Sequence, residues 1–142
     1  MLSAAIFWLF MLATYALVLV YGDRDARVFV HVMLASALLT LVATFTLDRP
    51  AFAVCGLLID ACVLGTALWI VARSNSYWPI WYAGFVTIAV CTMAAQQIFP
   101  HYIPSIYGLV AGFWVLPAQL VMVIAILRDH RAGLNSGSVS YT

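Results

Sequence analysis

Hydrophobic residues form five long runs along this chain, and short polar segments separate the runs. Each run is close to the roughly 20 residues that an α-helix, rising about 1.5 Å per residue, needs to cross the hydrocarbon of a bilayer. The pattern therefore predicts an all-α integral membrane bundle over residues 1–127. Its five predicted transmembrane helices cover residues 2–21, 28–47, 51–72, 79–99 and 106–127.

The polar segments between the runs are too short for a detour, so neighbouring helices are predicted to be antiparallel and adjacent. The second and third runs are separated only by Asp48, Arg49 and Pro50. Pro50 is predicted to lie in the first turn of the third helix, where its missing amide hydrogen is harmless. Because this connection is so short, four spans plus a kinked or re-entrant segment is the alternative architecture.

The arginines predict the orientation of the bundle. With five spans, Arg49 lies alone on one side, and the other five arginines lie on the opposite side. The positive-inside rule then places the amino terminus outside and the carboxyl terminus in the cytoplasm. The first run has no positive residue before it and no small-residue cleavage pattern after it, which is typical of an uncleaved anchor. Residues 128–142 are predicted to form a disordered cytoplasmic tail.

Aromatic residues cluster at the start of the fourth run. Amphipathic rings prefer the headgroup level of a bilayer. We therefore interpret four of them as interfacial anchors: Tyr77, Trp78, Trp81 and Tyr82.

The composition excludes a soluble globular domain and a nucleic-acid-binding protein. Hydrophobic residues make up 66% of the 142 residues and charged residues 8%, which is far from the composition of a soluble globular domain. The net charge is +1 and no basic cluster is present, so nucleic acid is excluded as a partner. Cys55, Cys62 and Cys91 lie in apolar runs without a Cys-x-x-Cys spacing and are interpreted as small hydrophobes.

Asp60 is the residue that most invites a chemical explanation, because it lies in the middle of the third run. An ionised carboxylate there is costly, so Asp60 must be protonated, paired or hydrated. Polar residues of other runs are predicted at similar depth, namely Ser36, Thr40, Thr92 and Gln119. Pro117 also frees the backbone carbonyl of Phe113, to which a neutral Asp60 could donate. A hydrogen-bonding staple between helices is the favoured interpretation, and a proton or cation site is the alternative.

The fourth run is polar in its second half. Thr92 and Gln96 are four residues apart and share a helix face. We interpret this face first as a hydrogen-bonding contact between helices. The alternative is a small ligand pocket that opens to the outside.

Small residues predict close helix packing. Gly108 and Gly112 form a Gly-x-x-x-Gly spacing in the fifth run, and Gly56 and Gly65 lie in the third. Such spacing lets two backbones approach closely, within one chain or between chains.

The sequence gives little support for a metal, haem or catalytic site. In the five-span arrangement His31 and His101 lie near opposite membrane surfaces, too far apart to ligate one haem iron. The chain has no nucleophile paired with a base, no glycine-rich phosphate loop and no metalloprotease motif. We therefore predict no enzymatic activity, no metal and no cofactor.

Two segments carry a resemblance. They are residues 73–81 with Gly84 and Phe85, and Pro104 with Tyr107 and residues 112–117. Both resemble segments of small uncharacterised multi-span bacterial inner-membrane proteins. The resemblance covers the second half of the chain and implies a bacterial cytoplasmic membrane, but no activity.

Three functions are compatible with these features. The first is a non-enzymatic accessory or scaffold protein that packs in the bilayer against itself or a larger assembly. The second is a small proton-linked carrier or channel that uses Asp60 and Gln119, with Thr92 and Gln96 lining an outer vestibule. The third is a subunit of an electron-transfer complex that contacts a quinone or another cofactor.

Overall fold

The computed structural model describes residues 2–74, 76–99 and 114–132, and the side chains of α1 from Ile6 onward. This part of the chain forms an all-helical bundle, as the sequence predicts. Its helices are α1 (Leu2–Tyr21), α2 (Arg24–Thr46), α3 (Arg49–Val71), α4 (Trp78–Ile98) and α5 (Val115–Arg131).

Helix α2 begins before the second apolar run, at Arg24 rather than at Val28. The reason is the Asp23 side chain, which caps the helix by accepting a hydrogen bond from the Ala26 amide at 2.9 Å. Such a cap satisfies a backbone donor that the first helical turn would otherwise leave without a partner. A polar first turn is therefore part of the helix.

The chain between α2 and α3 is a true break. Leu47 and Asp48 both have extended backbone angles, and Pro50 lies in the first turn of α3 as predicted. The alternative in which one kinked helix runs through residues 47 and 48 is therefore wrong. Helices α2 and α3 have 23 residues each. At about 1.5 Å per residue each is roughly 34 Å long, which exceeds the thickness of a bilayer's hydrocarbon.

Helix α5 continues past the predicted end of the fifth run at Leu127. It ends at Arg131, so the first residues of the predicted disordered tail are helical. Arg128, His130 and Arg131 lie in its last turn. Cations there interact favourably with the free carbonyl groups at a helix carboxyl terminus. This interaction explains why the helix extends beyond the apolar run. Residues 106–113 of the predicted span and 133–142 of the tail lie outside the described residues.

The backbones of the described helices form a ring. Helix α1 packs on α2, α2 on α3, α3 on α4, α4 on α5, and α5 on α1. Within the described ranges, backbones that are not neighbours in this ring make no close approach. The axis is therefore filled by side chains alone.

Contacts along α1 and α5 show that these two helices run parallel. The Gln119 amide lies against Met11, and further along both helices the His130 and Tyr21 rings lie 4.9 Å apart. The end of the ring that carries Tyr21, Trp78 and His130 is called the closed end below. The opposite end, which carries Thr46 and Arg49, is called the cavity end.

A buried aromatic cluster fills the axis at the closed end. The Phe29 ring lies 5.4 Å from that of Trp78 and 4.7 Å from that of Tyr82, so it bridges α2 and α4 across the axis. Trp78 and Tyr82 are each only 1% exposed. These two residues are therefore core residues and not interfacial anchors, whereas Tyr77 and Trp81 are 80% and 63% exposed. Aliphatic side chains complete this core: Val18, Ala26, Val30, Ala67, Ile70, Met122 and Ile126.

The outer surface of the ring is apolar. Leu9 is 73% exposed and Phe45 82% exposed, and large hydrophobic side chains point outward from all five helices. Contiguous apolar surface of this kind marks contact with lipid or with another protein. Helices α2, α3 and α4 are long and apolar enough to cross a membrane, and the described apolar part of α1, Ile6–Tyr21, is shorter. These features indicate a membrane protein.

Gly22 provides the first testable prediction, because it allows the close turn from α1 to α2. A methyl group added there would collide with the Val18 carbonyl oxygen and lie 2.9 Å from Val18 Cγ1. We expect Gly22→Ala to lower the free energy of unfolding by about 1–3 kcal/mol, as overpacking typically does. Thermal unfolding of the purified protein in detergent measures this.

The matched control is Gly84→Ala on α4, where an added methyl group meets nothing within 4 Å. Alanine forms helix better than glycine, so this variant should be as stable as the wild type or slightly more stable. Equal destabilisation by both substitutions would contradict the tight packing at Gly22.

Candidate functional site

A cavity of about 470 Å³ occupies the axis in the half of the bundle nearer the cavity end. Side chains from all five helices line it. Its volume lies within the roughly 300–1,000 Å³ of small-molecule sites. Its aromatic lining consists of Phe7, Trp8, Phe52, Tyr82, Phe85 and Trp114, and its polar lining of Ser36, Thr40, Thr44, Asp60, Tyr82 and Gln119. The cavity therefore combines a largely apolar wall with a few polar groups.

Asp60 lies in the wall of this cavity. It is the central residue of the 23 in α3, so it is as far from both ends of the helix as the sequence predicts. Among the described residues, no hydrogen bond or ion pair engages its carboxyl group, and no Lys, Arg or His side chain lines the cavity with it. An ionised carboxylate at this depth costs about 3 kcal/mol or more unless something neutralises it. The protein's described residues supply no neutralising group.

The predicted staple is not formed within the described chain. A neutral Asp60 was expected to donate to Gln119 or to the carbonyl of Phe113. Gln119 Oε1 accepts no hydrogen bond, and Phe113 lies outside the described residues. Asp60 and Gln119 nevertheless line the same cavity, from α3 and α5.

Gln119 is completely buried, and its two polar atoms are poorly satisfied. Its Nε2 donates to the Met11 sulfur at 3.2 Å, and its Oε1 has no partner among the described residues. A thioether sulfur is a weak acceptor. A buried acceptor without a donor costs about 1–3 kcal/mol, so the site destabilises the fold unless a ligand or water supplies that donor.

Tyr82, on the neighbouring helix α4, shows the same deficiency. Its hydroxyl donates to the Met33 sulfur at 3.3 Å, across the axis from α4 to α2. Two strong donors of the cavity, Tyr82 and Gln119, therefore both point at sulfur atoms rather than at oxygen or nitrogen. Two poorly satisfied donors in one cavity make it the candidate binding site of the protein.

The hydroxyl groups of α2 present acceptors to the cavity rather than donors. Ser36, Thr40 and Thr44 each donate their hydroxyl hydrogen to a carbonyl of their own helix, at 2.8, 2.9 and 2.8 Å. Such bonds back to the preceding turn are common for Ser and Thr inside helices. The oxygen lone pairs of all three residues remain, so this wall of the cavity can accept hydrogen bonds but has no hydroxyl hydrogen free to donate.

The other predicted pair, Thr92 and Gln96, does not join Asp60 and Gln119. Neither residue lines the cavity, and the Thr92 hydroxyl donates to the Ile88 carbonyl of its own helix at 2.7 Å. Met93 occupies the inward position of this part of α4 instead. Gln97, four residues after Met93, donates to the Ala53 carbonyl of α3 at 2.9 Å and is the residue that links the two helices.

The predicted packing glycines behave differently from one another. Gly56 is buried, and a methyl group added there would lie 3.7 Å from Met93 Cε, so this glycine lies at the α3–α4 contact. Gly65 is exposed and has no atom of the described chain near it, so it packs against nothing within that part of the protein. Gly108 and Gly112 lie outside the described residues.

The two histidines that the structure describes, His31 and His130, do not form a site together. The His31 ring packs against Tyr15 at 5.4 Å, and its Nδ1 donates to the Arg27 carbonyl oxygen on the outside of α2. His101 lies outside the described residues. Where side chains are described, no three His, Cys, Asp or Glu residues are grouped as metal ligands would be.

Sequence reasoning missed the participation of Tyr82, Met11 and Met33 in the site. Tyr82 was assigned to the membrane surface because it follows Tyr77 and Trp81 in an aromatic cluster. A usable signal was present, since Tyr82, Val86, Ala89 and Met93 recur at intervals of three and four residues and thus share one face of a helix. The methionines gave no such signal, because an apolar residue in an apolar run has no preferred direction.

Comparisons with known proteins returned no matching family model, no matching curated protein and no matching solved structure.

Gln119 provides the second prediction. Gln119→Met keeps a flexible unbranched side chain of similar length and removes the buried acceptor, so we expect the ligand-free protein to become more stable by about 1 kcal/mol. The unfolding midpoint followed by tryptophan fluorescence measures this.

Gln97→Met is the matched control, because the Gln97 amide has a good partner in the Ala53 carbonyl. Losing that bond should lower stability by about 0.5–1.5 kcal/mol. A loss of stability in Gln119→Met as large as in Gln97→Met would mean that Gln119 is well satisfied in the protein.

Proposed function

We propose that this protein is a multi-span membrane protein that binds a small molecule in its axial cavity and carries it across the bilayer in exchange for a proton on Asp60. The observation that carries the proposal is the position of Asp60. Its carboxyl group lies at the middle of a membrane-length helix, in the wall of a cavity of about 470 Å³, with no hydrogen-bonding or ionic partner in the described chain. Intramembrane carboxyl groups in such positions are typical of proton and ion pathways.

Two further features support a carrier rather than a channel. The closed end is filled by Phe29, Trp78 and Tyr82, each no more than 1% exposed, so no open path continues along the axis. The cavity therefore has access from one end at most, as in one conformation of an alternating-access carrier. The partners of Gln119 and Tyr82 are sulfur atoms, which are weak acceptors, so these two side chains can reorient when a ligand enters.

The proposed arrangement in the membrane has five spans, with the amino terminus outside and the carboxyl terminus in the cytoplasm. Five of the six arginines belong to the closed end: Arg24, Arg27, Arg73, Arg128 and Arg131. Arg49 alone belongs to the cavity end. The positive-inside rule supports a cytoplasmic closed end and an outward-facing cavity. The resemblance of the second half of the chain supports a bacterial cytoplasmic membrane.

The third prediction tests the carrier. We expect proteoliposomes loaded with a pH-sensitive dye to change their internal pH when a transported solute is added to the outside, because each solute molecule that enters displaces a proton. A panel of small cationic, neutral and anionic aromatic solutes is screened. The Asp60→Asn variant should lose the response, because it keeps the shape of the side chain and cannot ionise.

Asp48→Asn is the control for this experiment. Asp48 is an exposed carboxylate just before α3, and its side chain makes no capping hydrogen bond. This variant should transport as the wild type does. A pH response no greater than that of protein-free liposomes, for every solute of the panel, would contradict the carrier.

A second candidate function is self-association as a scaffold, and one observation favours it. The outer face of α3 carries small exposed residues in the middle of the helix, namely Ala61, Cys62 and Gly65. Ala61 and Gly65 are four residues apart, as in the small-x-x-x-small pattern of close helix pairs. We expect a helix of a second copy to pack closely against this small-residue face.

The fourth prediction uses Cys62, which lies on this face and is not in a disulfide. If α3 pairs with α3 of a second copy, mild oxidation in the membrane should link two chains through Cys62. Gly65→Leu should reduce the linked product severalfold, because the side chain blocks the groove, and Gly84→Leu on the exposed face of α4 should not. Linkage through Cys91 of α4 to the same extent would indicate random collision rather than an interface.

A further inference from the structure

We propose that the axial cavity selects an organic cation, and specifically a protonated amine attached to an aromatic or otherwise bulky apolar group. This inference deepens the proposed function and rests on it, since it names the substrate class of the same cavity. It follows from the balance of charges, donors and acceptors in the cavity wall.

The charge of the cavity is one-sided. Asp60 is the single acidic residue among the described lining residues, and the lining contains no basic residue. Helix α2 presents Ser36, Thr40 and Thr44 to the cavity, and α5 presents Gln119, none of which titrates. Helix α4 presents Tyr82, a phenol that is neutral near pH 7. The described residues therefore offer nothing that neutralises an ionised Asp60, so we expect a cation that enters or a proton to do so.

The described wall of the cavity offers more free hydrogen-bond acceptors than free donors. Within the described part of the cavity wall, the free acceptors are Gln119 Oε1, the Asp60 carboxyl oxygens and the lone pairs of the three α2 hydroxyl groups. Donors already have partners on α2, or point at sulfur as those of Tyr82 and Gln119 do. A ligand that offers several N–H groups and no strong acceptor fits this inventory, and a protonated amine is such a ligand.

The apolar wall suits the rest of such a molecule. Six aromatic side chains line the cavity, and two of them, Phe85 and Trp114, are stacked with their rings 5.9 Å apart. Aromatic faces attract cations and pack against apolar groups. A quinone is a poorer fit, because its carbonyl oxygens need donors and the cavity offers few.

Competition between amine and proton at Asp60 gives the site a defined pH dependence. Binding of the cation displaces the proton, so affinity should rise with pH. The increase should be about tenfold per pH unit over the range in which Asp60 is protonated in the free protein, since one proton leaves for each cation bound.

The test uses the full chain in nanodiscs of zwitterionic lipid and three probes of one shape. They are 2-(1-naphthyl)ethylammonium, its N-trimethyl derivative and 2-(1-naphthyl)ethanol. Equilibrium dialysis measures bound probe, and empty nanodiscs are subtracted to remove partitioning into lipid. We expect saturable binding of one ammonium probe per chain, at least tenfold tighter than the alcohol. The trimethyl probe should bind severalfold more weakly than the ammonium probe, because it has charge but no N–H.

Variants test separately the recognition of charge by Asp60 and the hydrogen bonding by Gln119. Asp60→Asn should remove the preference for cations over the alcohol, Asp60→Glu should restore it in part, and Asp48→Asn should leave it unchanged. Gln119→Met should lower the affinity for the ammonium probe to that for the trimethyl probe. The affinity for the trimethyl probe should not change. Circular dichroism and the unfolding midpoint show that each variant is folded.

Two outcomes overturn the inference. Equal affinity for the alcohol and the ammonium probe, unchanged in Asp60→Asn, would identify a site for neutral ligands and leave the proposed carrier standing. Absence of saturable binding of all three probes to folded wild-type protein would also overturn the cation selectivity. The carrier itself fails only if no solute, charged or neutral, moves protons in proteoliposomes.

Discussion

Five helices that form a ring leave an axis that no backbone fills, and this geometric constraint governs the rest of the structure. Each described helix approaches only its two neighbours closely, so the interior is made by side chains that reach inward. At the closed end large side chains meet across the axis, as Phe29 meets Trp78 and Tyr82. Toward the cavity end aromatic, small and polar side chains surround the axis without filling it, and a cavity remains. Side-chain packing thus decides which half of the axis is solid.

The cavity also explains why polar residues are tolerated at this depth. In hydrocarbon an amide or a carboxyl group without a partner is costly, and evolution of a purely structural bundle would favour an apolar replacement. Asp60, Gln119 and Tyr82 instead keep polar groups that meet only sulfur atoms or nothing in the described chain. Retaining three such groups around one space is expected if they act on a molecule that enters it.

The helices and their order could be predicted from the sequence because they depend on local physics. Runs of apolar residues of membrane length must satisfy their own backbone hydrogen bonds, so each becomes a helix. Errors occurred where polar residues belong to a helix, as at Arg24 and Arg131, because caps and end charges are not visible in hydropathy.

The site could be predicted only in part. Asp60 and Gln119 are conspicuous as polar residues in apolar runs, and both line the cavity. The choice of Thr92 and Gln96 over Gln97 depended on which face of α4 points inward. In a bundle surrounded by lipid, both the inside and the outside are apolar, so the periodicity that orients a helix in a soluble protein is weak. Tyr82 shows the same difficulty, since a tyrosine near a helix end fits both a membrane surface and a buried core.

The solid closed end bears on how the proposed carrier would work. A channel needs a continuous path, and Phe29, Trp78 and Tyr82 block the axis with side chains that are at most 1% exposed. These residues belong to two helices, α2 and α4, whose backbones do not touch each other. Only side-chain packing therefore holds the two helices together across the axis.

Tyr82 belongs both to this cluster and to the cavity wall, where its hydroxyl donates to the Met33 sulfur. A ligand that contacts Tyr82 would therefore act directly on the packing that closes the axis. In the proposed carrier, binding in the cavity and opening of the closed end would then be linked through Tyr82, a link that a bundle with a separate pocket and core would lack.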